Sequence, residues 1–131
     1  MKATLKDCVA LYTTIHQLQS KLLPFKVGFK LNKIAKALQD DYYTYMKALN
    51  DVITKYGERD EEGNLKQTKD GIGVSLQEDK AGLALEEMQE VDKTECEIPD
   101  IWFKPDELEQ LELSLQQIES LQIIIKEEES N

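Results

Sequence analysis

The residues that could support catalysis are few and widely separated. His16 is the only histidine, and the two cysteines are Cys8 and Cys96. A cysteine nucleophile needs a histidine base within hydrogen-bonding distance. Cys8 and His16 fall in one predicted helix, but their spacing places them about 80° apart around its axis. We therefore expect no catalytic residues, and we expect both cysteines to be buried free thiols rather than a disulfide.

The acidic and glycine-rich stretches do not match known metal or phosphate motifs. Asp40 and Asp41 are adjacent, so a helix would point them about 100° apart. The acidic run 58–62 lacks the spacing of a calcium-binding loop, and one histidine with two distant cysteines is too few for zinc. Residues 71–73 (Gly-Ile-Gly) lack the third glycine and the preceding strand of a dinucleotide-binding loop. We expect neither a metal nor a cofactor.

Two groups of residues form a candidate interaction surface. Lys26, Lys30 and Lys33 fall on one face of a predicted helix and would form a small basic patch. Trp102, the only tryptophan, is followed by Phe103, and aromatic side chains anchor interfaces when they are exposed. The alternatives stay open: the lysines could be solvated or paired with acidic residues of this chain, and the aromatic pair could lie in the core.

Charge is distributed unevenly along the chain. Residues 1–57 contain nine lysines and four aspartates, for a net +5, whereas residues 58–131 carry seven basic and 22 acidic residues, for a net −15. The simplest interpretation is that the two halves pack together and partly neutralise each other; the alternative is an acidic surface that docks on a basic partner. The overall charge of −10 would repel phosphates, so we expect a protein partner and no nucleic acid.

The sequence shows no signal for membrane insertion. No apolar run reaches the length of a transmembrane helix, and the opening MKATLKD lacks the hydrophobic region of a signal peptide. We therefore expect no membrane partner and a cytoplasmic location where the chain is made.

A long helix over residues 25–56 is the strongest structural prediction. Apolar residues recur every three to four positions from Leu31 to Tyr56, which gathers them into one stripe. A helix of about 30 residues would reach about 45 Å, so neighbouring elements must fold back along it. We expect the stripe to be core, with a surface for a partner helix as the alternative.

The flanking segments predict two more helices that pack on the long one. A helix before Pro24, with Asp7 as a candidate cap, would turn back sharply at that proline, or else continue as a kinked rod. After a polar and acidic loop over 58–76, a third helix from about Gln77 would run antiparallel to the long helix. Its apolar face would comprise Ala81, Leu85, Met88 and Val91 or, one face over, Ala84.

The ends of the chain predict strands and a last helix. Residues 1–5 and 94–98 both alternate apolar and polar positions, so they could pair and bring Lys2 near Glu95 or Glu97. Ser114 is placed to cap a final helix, with Gln117 at the capping-box position. The apolar face expected to point inward from this helix comprises Leu115, Ile118, Leu121 and Ile125.

Four segments together resemble a family of small phage proteins of unknown function, found in tailed phages and prophages of Gram-positive bacteria. These segments are MKATLKD, LLPFKVGFKLNK, KYGERDEEGN and IPDIWFKPDELEQLELSLQQIESLQIII. The resemblance implies a helix-rich protein of phage origin, encoded among late structural or tail genes. It implies no catalytic residues.

These observations predict a mainly α fold with one helical domain over 1–131. A long helical hairpin is joined by additional short helices and a small two-stranded β element near the termini. The domain comprises a basic half (1–57), the acidic and polar loop (58–76) and an acidic half (77–131). We expect a non-enzymatic virion or tail-assembly accessory protein that acts through protein–protein interaction. The alternative is an acidic inhibitor or modulator of a host defence or transcription protein. Synthesis in the host cytoplasm is expected, with the virion as a second location and a homo-oligomer left open.

Overall fold

The computed structural model describes residues 1–127, and it is mainly helical, as the sequence predicts. Three short 3-10 turns, at Leu18–Ser20, Pro105–Leu108 and Gln122–Ile124, connect or extend the main elements. Within the described residues, no helix is both long and apolar enough to cross a membrane. The main elements are β1 (Lys2–Thr4), α1 (Leu5–Gln17), α2 (Phe25–Tyr56), α3 (Ala81–Asp92), β2 (Glu95–Glu97) and α4 (Leu115–Leu121).

Helix α2 has the predicted bounds, and both hydrophobic cores of the molecule form on it. Its 32 residues extend over about 48 Å. The apolar stripe is buried toward both ends of the helix, at Leu31, Ile34 and Leu38 and again at Val52 and Tyr56. Between residues 39 and 51, all of which are described, no side chain is buried. The stripe therefore serves two separate packing regions.

Helix α1 turns back against the first half of α2, so the sharp corner is correct and the kinked rod is wrong. The Tyr12 ring stacks on Tyr42 with 4.4 Å between centroids, while the far end of α1 meets the first turns of α2. The predicted cap is one turn too late. Thr4 caps α1, with its Oγ1 accepting the Asp7 N–H at 3.2 Å, because β1 leads directly into the helix.

The larger core surrounds the first half of α2. Apolar side chains from α1, α2, the strand end at Ile98 and the C-terminal segment meet there. Its buried members are Cys8, Leu11, Tyr12, Ile15, Leu18, Val27, Leu31, Ile34, Leu38, Ile98, Phe103, Leu108, Leu121 and Ile124.

Helix α3 packs antiparallel on the second half of α2, as predicted. Ala84 is buried against Val52 and Tyr56 in a smaller, separate core, with Met88 half-buried beside them. The predicted inward position of Leu85 is wrong, since 60% of this residue is exposed. The helix packs through the alternative face that contains Ala84, which leaves Leu85 exposed.

The acidic and polar segment 57–77 is more ordered than its composition indicates. Three short stretches bond in a closed cycle: the Glu58 N–H donates to Ser75 O, the Ser75 N–H to Lys66 O, and the Lys66 N–H to Glu58 O, at 2.7, 2.8 and 2.8 Å. A tight turn lies at Gly63, and its φ of 85° favours glycine.

Strands β1 and β2 form the predicted pair, and the structure shows that it is antiparallel. Lys2 lies opposite Glu97 and Thr4 opposite Glu95, while the Lys2 Nζ reaches the Glu95 Oε2 diagonally at 3.7 Å. The pairing continues one step beyond the strands, where the Met1 amino group donates to the Ile98 carbonyl at 2.9 Å. The sheet thereby joins the start of the chain to the segment after α3 beside the larger core.

Helix α4 has the predicted capping box but not the predicted inner face. Leu115 and Ile118 are 86% and 40% exposed, so their inward assignment is wrong. Leu121 is buried as expected, but Ile124 is buried in place of Ile125. The chain changes to a 3-10 turn at residue 122, and positions three apart eclipse each other in that geometry. Ile124 therefore follows Leu121 into the core.

Candidate functional site

A groove lies where the start of α2 meets the C-terminal segment. It has a volume of about 770 Å³ and combines cationic, aromatic and acidic side chains. We call it the lysine groove. Its lining residues are Lys26, Lys30, Trp102, Phe103, Lys104, Glu107, Lys126 and Glu127.

Two local structures hold the walls of the lysine groove. The 3-10 turn that begins at Pro105 is closed by the Glu107 carboxylate, which accepts the Lys104 N–H at 3.0 Å. On the other wall, the Phe103 N–H donates to the Ile124 carbonyl and the Lys126 N–H donates to the Phe103 carbonyl, both at 2.8 Å. This parallel bridge brings Lys126 beside the aromatic pair from the far end of the chain.

Lys30 forms the floor of the lysine groove rather than a free cation. Its Nζ donates to the Trp102 carbonyl at 2.6 Å, lies 3.4 Å from the Glu107 Oε2, and sits 4.6 Å from the centroid of the Phe103 ring. The hydrogen bond from the Lys104 N–H lowers the pKa of the Glu107 carboxyl, and Lys30 lowers it further. Lys30 therefore joins α2 to the aromatic segment.

Lys26 and Lys126 supply the accessible positive charge. Both residues are exposed, and neither forms an ion pair within residues 1–127. The Lys126 Nζ lies 5.9 Å from the centroid of the Trp102 ring, near the limit of a cation–π contact. Two ammonium groups beside a half-buried indole can bind carboxylates whose aliphatic stems pack on the ring.

The lysine groove contains four of the five residues proposed from the sequence. Lys26, Lys30, Trp102 and Phe103 come together, but Phe103 is only 1% exposed and forms a wall instead of an anchor. Lys33 lies outside the groove, with its Nζ 4.9 Å from the centroid of the Phe29 ring.

Sequence reasoning missed Lys104 and Lys126. Lys104 is adjacent to Phe103, so proximity to the aromatic pair was an available signal. No local signal in the sequence pointed to Lys126, because only the long-range bridge between Phe103 and Ile125 brings it to the groove.

A second cleft, of about 370 Å³, separates α1 from α4. Four of its polar side chains bond to one another: the Thr14 and Ser120 hydroxyls lie 2.5 Å apart, and the Gln117 amide donates to Gln17 at 3.0 Å. These groups hold the two helices together. The charged residues of its lining are of mixed sign, Lys6 beside Asp7 and Glu119, so this cleft does not concentrate one charge as the lysine groove does.

The residues considered for catalysis do not assemble into a reactive site. His16 is exposed and stacks on Tyr12, away from both cysteines. Cys8 and Cys96 are free thiols that lie side by side, and burial raises the pKa of Cys8 to about 12. A thiol with that pKa is almost fully protonated at neutral pH and is a poor nucleophile. Within residues 1–127, no cluster of three histidine, cysteine or acidic side chains could hold a metal ion.

Comparison of the chain with models of protein families, with curated proteins and with solved structures finds no match. The resemblance to small phage proteins therefore stays a prediction.

Proposed function

We propose that this chain is a non-enzymatic interaction protein that binds an acidic segment of a protein partner in the lysine groove. The observation that carries this proposal is the pair of exposed lysines, Lys26 and Lys126, that line a groove with Trp102 and form no ion pair within residues 1–127, in a chain whose net charge is −10. Electrostatic complementarity between such a groove and an acidic segment favours rapid and selective association.

The composition of the groove favours a peptide segment over an isolated anion. Lys26, Lys126 and the indole of Trp102 all line the groove, so a ligand with more than one carboxylate and some apolar stem would contact all three. The charge of Lys30 at the floor of the groove is already neutralised by Glu107. An isolated anion would therefore gain little attraction from the floor.

Together with the phage resemblance, this groove supports an accessory role in virion or tail assembly. A protein that contributes to assembly needs a docking site for a structural partner, and the lysine groove supplies one of defined chemistry. Mass spectrometry of purified virions tests this role. Many copies per particle are expected, whereas complete absence from virions and assembly intermediates would contradict it.

Trp102 provides a direct test of the groove, because it is the only tryptophan in the chain. A glutamate-rich peptide should shift its fluorescence in a saturable way, and binding should weaken as salt is added. The double substitution Lys26→Glu with Lys126→Glu should weaken this binding by about tenfold or more, which corresponds to about 1.4 kcal/mol.

Lys33→Glu is a matched control for this experiment, because it changes charge on the same helix but outside the groove. We expect it to leave peptide affinity within about twofold of the parent, because the Lys33 ammonium lies over the Phe29 ring and does not line the groove. Equal losses from Lys33→Glu and Lys26→Glu would point to general charge attraction and would overturn the groove as the site.

The acidic half supports a second function, inhibition or modulation of a basic host protein. Glu86 and Glu90 on α3 are exposed and form no ion pair within residues 1–127, and exposed Leu83 and Leu85 lie among them. This surface could occupy a basic site on a defence or transcription protein. Capture of one host protein, abolished by Glu86→Lys with Glu90→Lys and insensitive to Lys26→Glu, would favour this function over the first.

A further inference from the structure

The turn at residues 60–63, which we call the acidic tip, is exposed and contains three consecutive acidic residues. The Asp60 Oδ1 accepts the N–H groups of Glu62 and Asn64, both at 2.9 Å, so this carboxylate is used to build the turn. The exposed Glu61 and Glu62 side chains form no ion pair or hydrogen bond within the described part of the chain.

The acidic tip is held in a fixed position on the end of α2. The Arg59 guanidinium donates to the Gly63 carbonyl at 2.8 Å and to the Thr54 carbonyl at 3.4 Å, which ties the turn to the last turns of the helix. The closed cycle of backbone bonds through Glu58 anchors its base. A segment ordered in advance loses little conformational entropy when it binds.

The acidic tip and the lysine groove lie at opposite ends of the same helix. Lys26 and Lys30 are in the first two turns of α2, whereas the tip follows its last residue, Tyr56. A 32-residue helix separates the two by about 48 Å, so the tip of one molecule cannot enter its own groove.

We propose that the lysine groove receives the acidic tip of a second copy of this chain, so that molecules associate head to tail. This inference rests on the proposed function and names the partner of the same groove. Glu61 and Glu62 of the tip would meet Lys26 and Lys126, while Trp102 packs against their stems. Because the contact joins two different surfaces, each added copy leaves one groove and one tip available.

Charge distribution favours this contact despite the high net charge of each copy. Head-to-tail association keeps the molecular centres about 50 Å apart, given the length of α2. The Debye length at 0.1 M salt is about 10 Å, so repulsion between centres is screened while groups in contact still attract. The α3 glutamates are a poorer match, because they lie along a flat helix face and not on a projecting turn.

Sedimentation velocity of the full chain at several concentrations tests the proposal. In about 0.1 M salt the weight-average sedimentation coefficient should rise with concentration, and in about 1 M salt it should fall to the monomer value. Glu61→Lys with Glu62→Lys should abolish the rise, and so should Lys26→Glu with Lys126→Glu.

Glu86→Lys with Glu90→Lys is the matched control, because it makes the same change in net charge at α3. It should leave association intact. The decisive measurement mixes the tip variant (Glu61→Lys with Glu62→Lys) with the groove variant (Lys26→Glu with Lys126→Glu). The basic tip of the first complements the acidic groove of the second. Concentration-dependent association should therefore return in the mixture, although neither variant associates alone. Circular dichroism of each variant confirms that its helices are retained.

The outcomes separate this inference from the function on which it rests. A chain that stays monomeric at all concentrations, while a glutamate-rich peptide still shifts Trp102 fluorescence, overturns the self-association and leaves the groove function standing. Failure of both measurements overturns both. Association that the α3 control abolishes, but the tip variant does not, would move the contact to α3 and refute the proposal.

Discussion

Lys30 illustrates how one residue can organise a site without being its ligand-binding group. Its side chain is 24% exposed, and that of its partner Glu107 is 19% exposed, so both charges are largely withdrawn from water. Removing one partner of such a pair leaves the other charge uncompensated, which costs more than the pair itself contributes. The pair therefore fixes the floor of the lysine groove and leaves Lys26 and Lys126 available.

Glu107→Gln should destabilise the protein by about 1–3 kcal/mol at pH 7, because Lys30 loses its charged partner while the amide can still accept the Lys104 N–H. Urea unfolding followed by circular dichroism measures this change. Glu109→Gln is the matched control, since Glu109 is exposed and forms no ion pair within the described residues; it should change the stability by less than about 0.5 kcal/mol.

The stabilising effect of Glu107 should also depend on pH. The pKa of Glu107 is lowered in the folded protein from its ordinary value of 4.5, so the unfolded chain binds this proton more readily. The stabilisation is present above pH 4.5 and is lost as the pH falls through the folded pKa. The difference between parent and Glu107→Gln should shrink in acid. A difference that grows on acidification would contradict this assignment.

Gly57 is a position where an added methyl group has no space. A Cβ there would lie 2.5 Å from the Ile53 carbonyl oxygen and 2.6 Å from the Leu65 Cδ2. Gly57→Ala should therefore lower the free energy of unfolding by about 1–3 kcal/mol, through displacement of the segment that follows α2. Gly82→Ala is the comparison, since a Cβ there meets nothing within 4 Å.

Thermal unfolding of the two alanine variants checks this prediction. Gly82 lies in the first turn of α3, where alanine reduces the entropy of the unfolded chain, so its variant should be unchanged or up to about 1 kcal/mol more stable. Equal melting temperatures for the two variants would contradict the prediction for Gly57. They would mean that the segment after α2 moves to accommodate the added methyl group without loss of stability.

At the scale of elements, α4 depends on its cap. Ser114 Oγ accepts the Gln117 N–H at 3.1 Å, and the Gln117 side chain accepts the Ser114 N–H at 3.0 Å. A helix of seven residues has little intrinsic stability, so Ser114→Ala should cost about 1 kcal/mol. Ser114→Asp should retain most of the stability, because aspartate caps equally well. A Ser114→Asp variant as unstable as Ser114→Ala would rule out capping as the reason.

Patterns within a few residues predicted the elements well. The bounds of α2, the capping box of α4 and the pairing of β1 with β2 all followed from local spacing. Inner faces were predicted less well, because they depend on distant neighbours. Leu85 is exposed because α3 packs on α2 through Ala84, and Leu115 lies on a face that no other element covers within residues 1–127.

The site was partly predictable for the same reason. Lys26, Lys30 and Trp102 were identified from residue type and spacing, but the sequence could not show that Lys30 is engaged and Lys26 is available. Lys126 reaches the lysine groove through a bridge between two residues far apart in the chain, Phe103 and Ile125. No local pattern carries such information, since that pairing is decided by the packing of the whole C-terminal segment.

At the scale of the whole molecule, α2 joins two cores of unequal size. The larger core contains side chains from α1, α2 and the C-terminal segment, whereas the smaller contains Val52, Tyr56 and Ala84 with two half-buried neighbours. Polar contacts reinforce the smaller core: the Glu87 carboxylate accepts from the Tyr56 hydroxyl at 2.6 Å and from the Lys55 Nζ at 2.9 Å. These bonds are near the surface and add little stability of their own.

This imbalance predicts that the molecule opens locally at one end before it unfolds globally. Amides of residues 45–56 and of α3 should exchange with deuterium faster than those of residues 27–38 and α1, because fewer buried contacts protect them. Hydrogen exchange with mass spectrometry measures this difference. Ala84→Gly should increase the difference in exchange rate between the two ends, because it loosens only the smaller core. Ile34→Ala truncates a fully buried side chain of the larger core and should lower protection throughout the molecule. Uniform exchange along α2 would instead mean that the long helix couples the two cores into one cooperative unit.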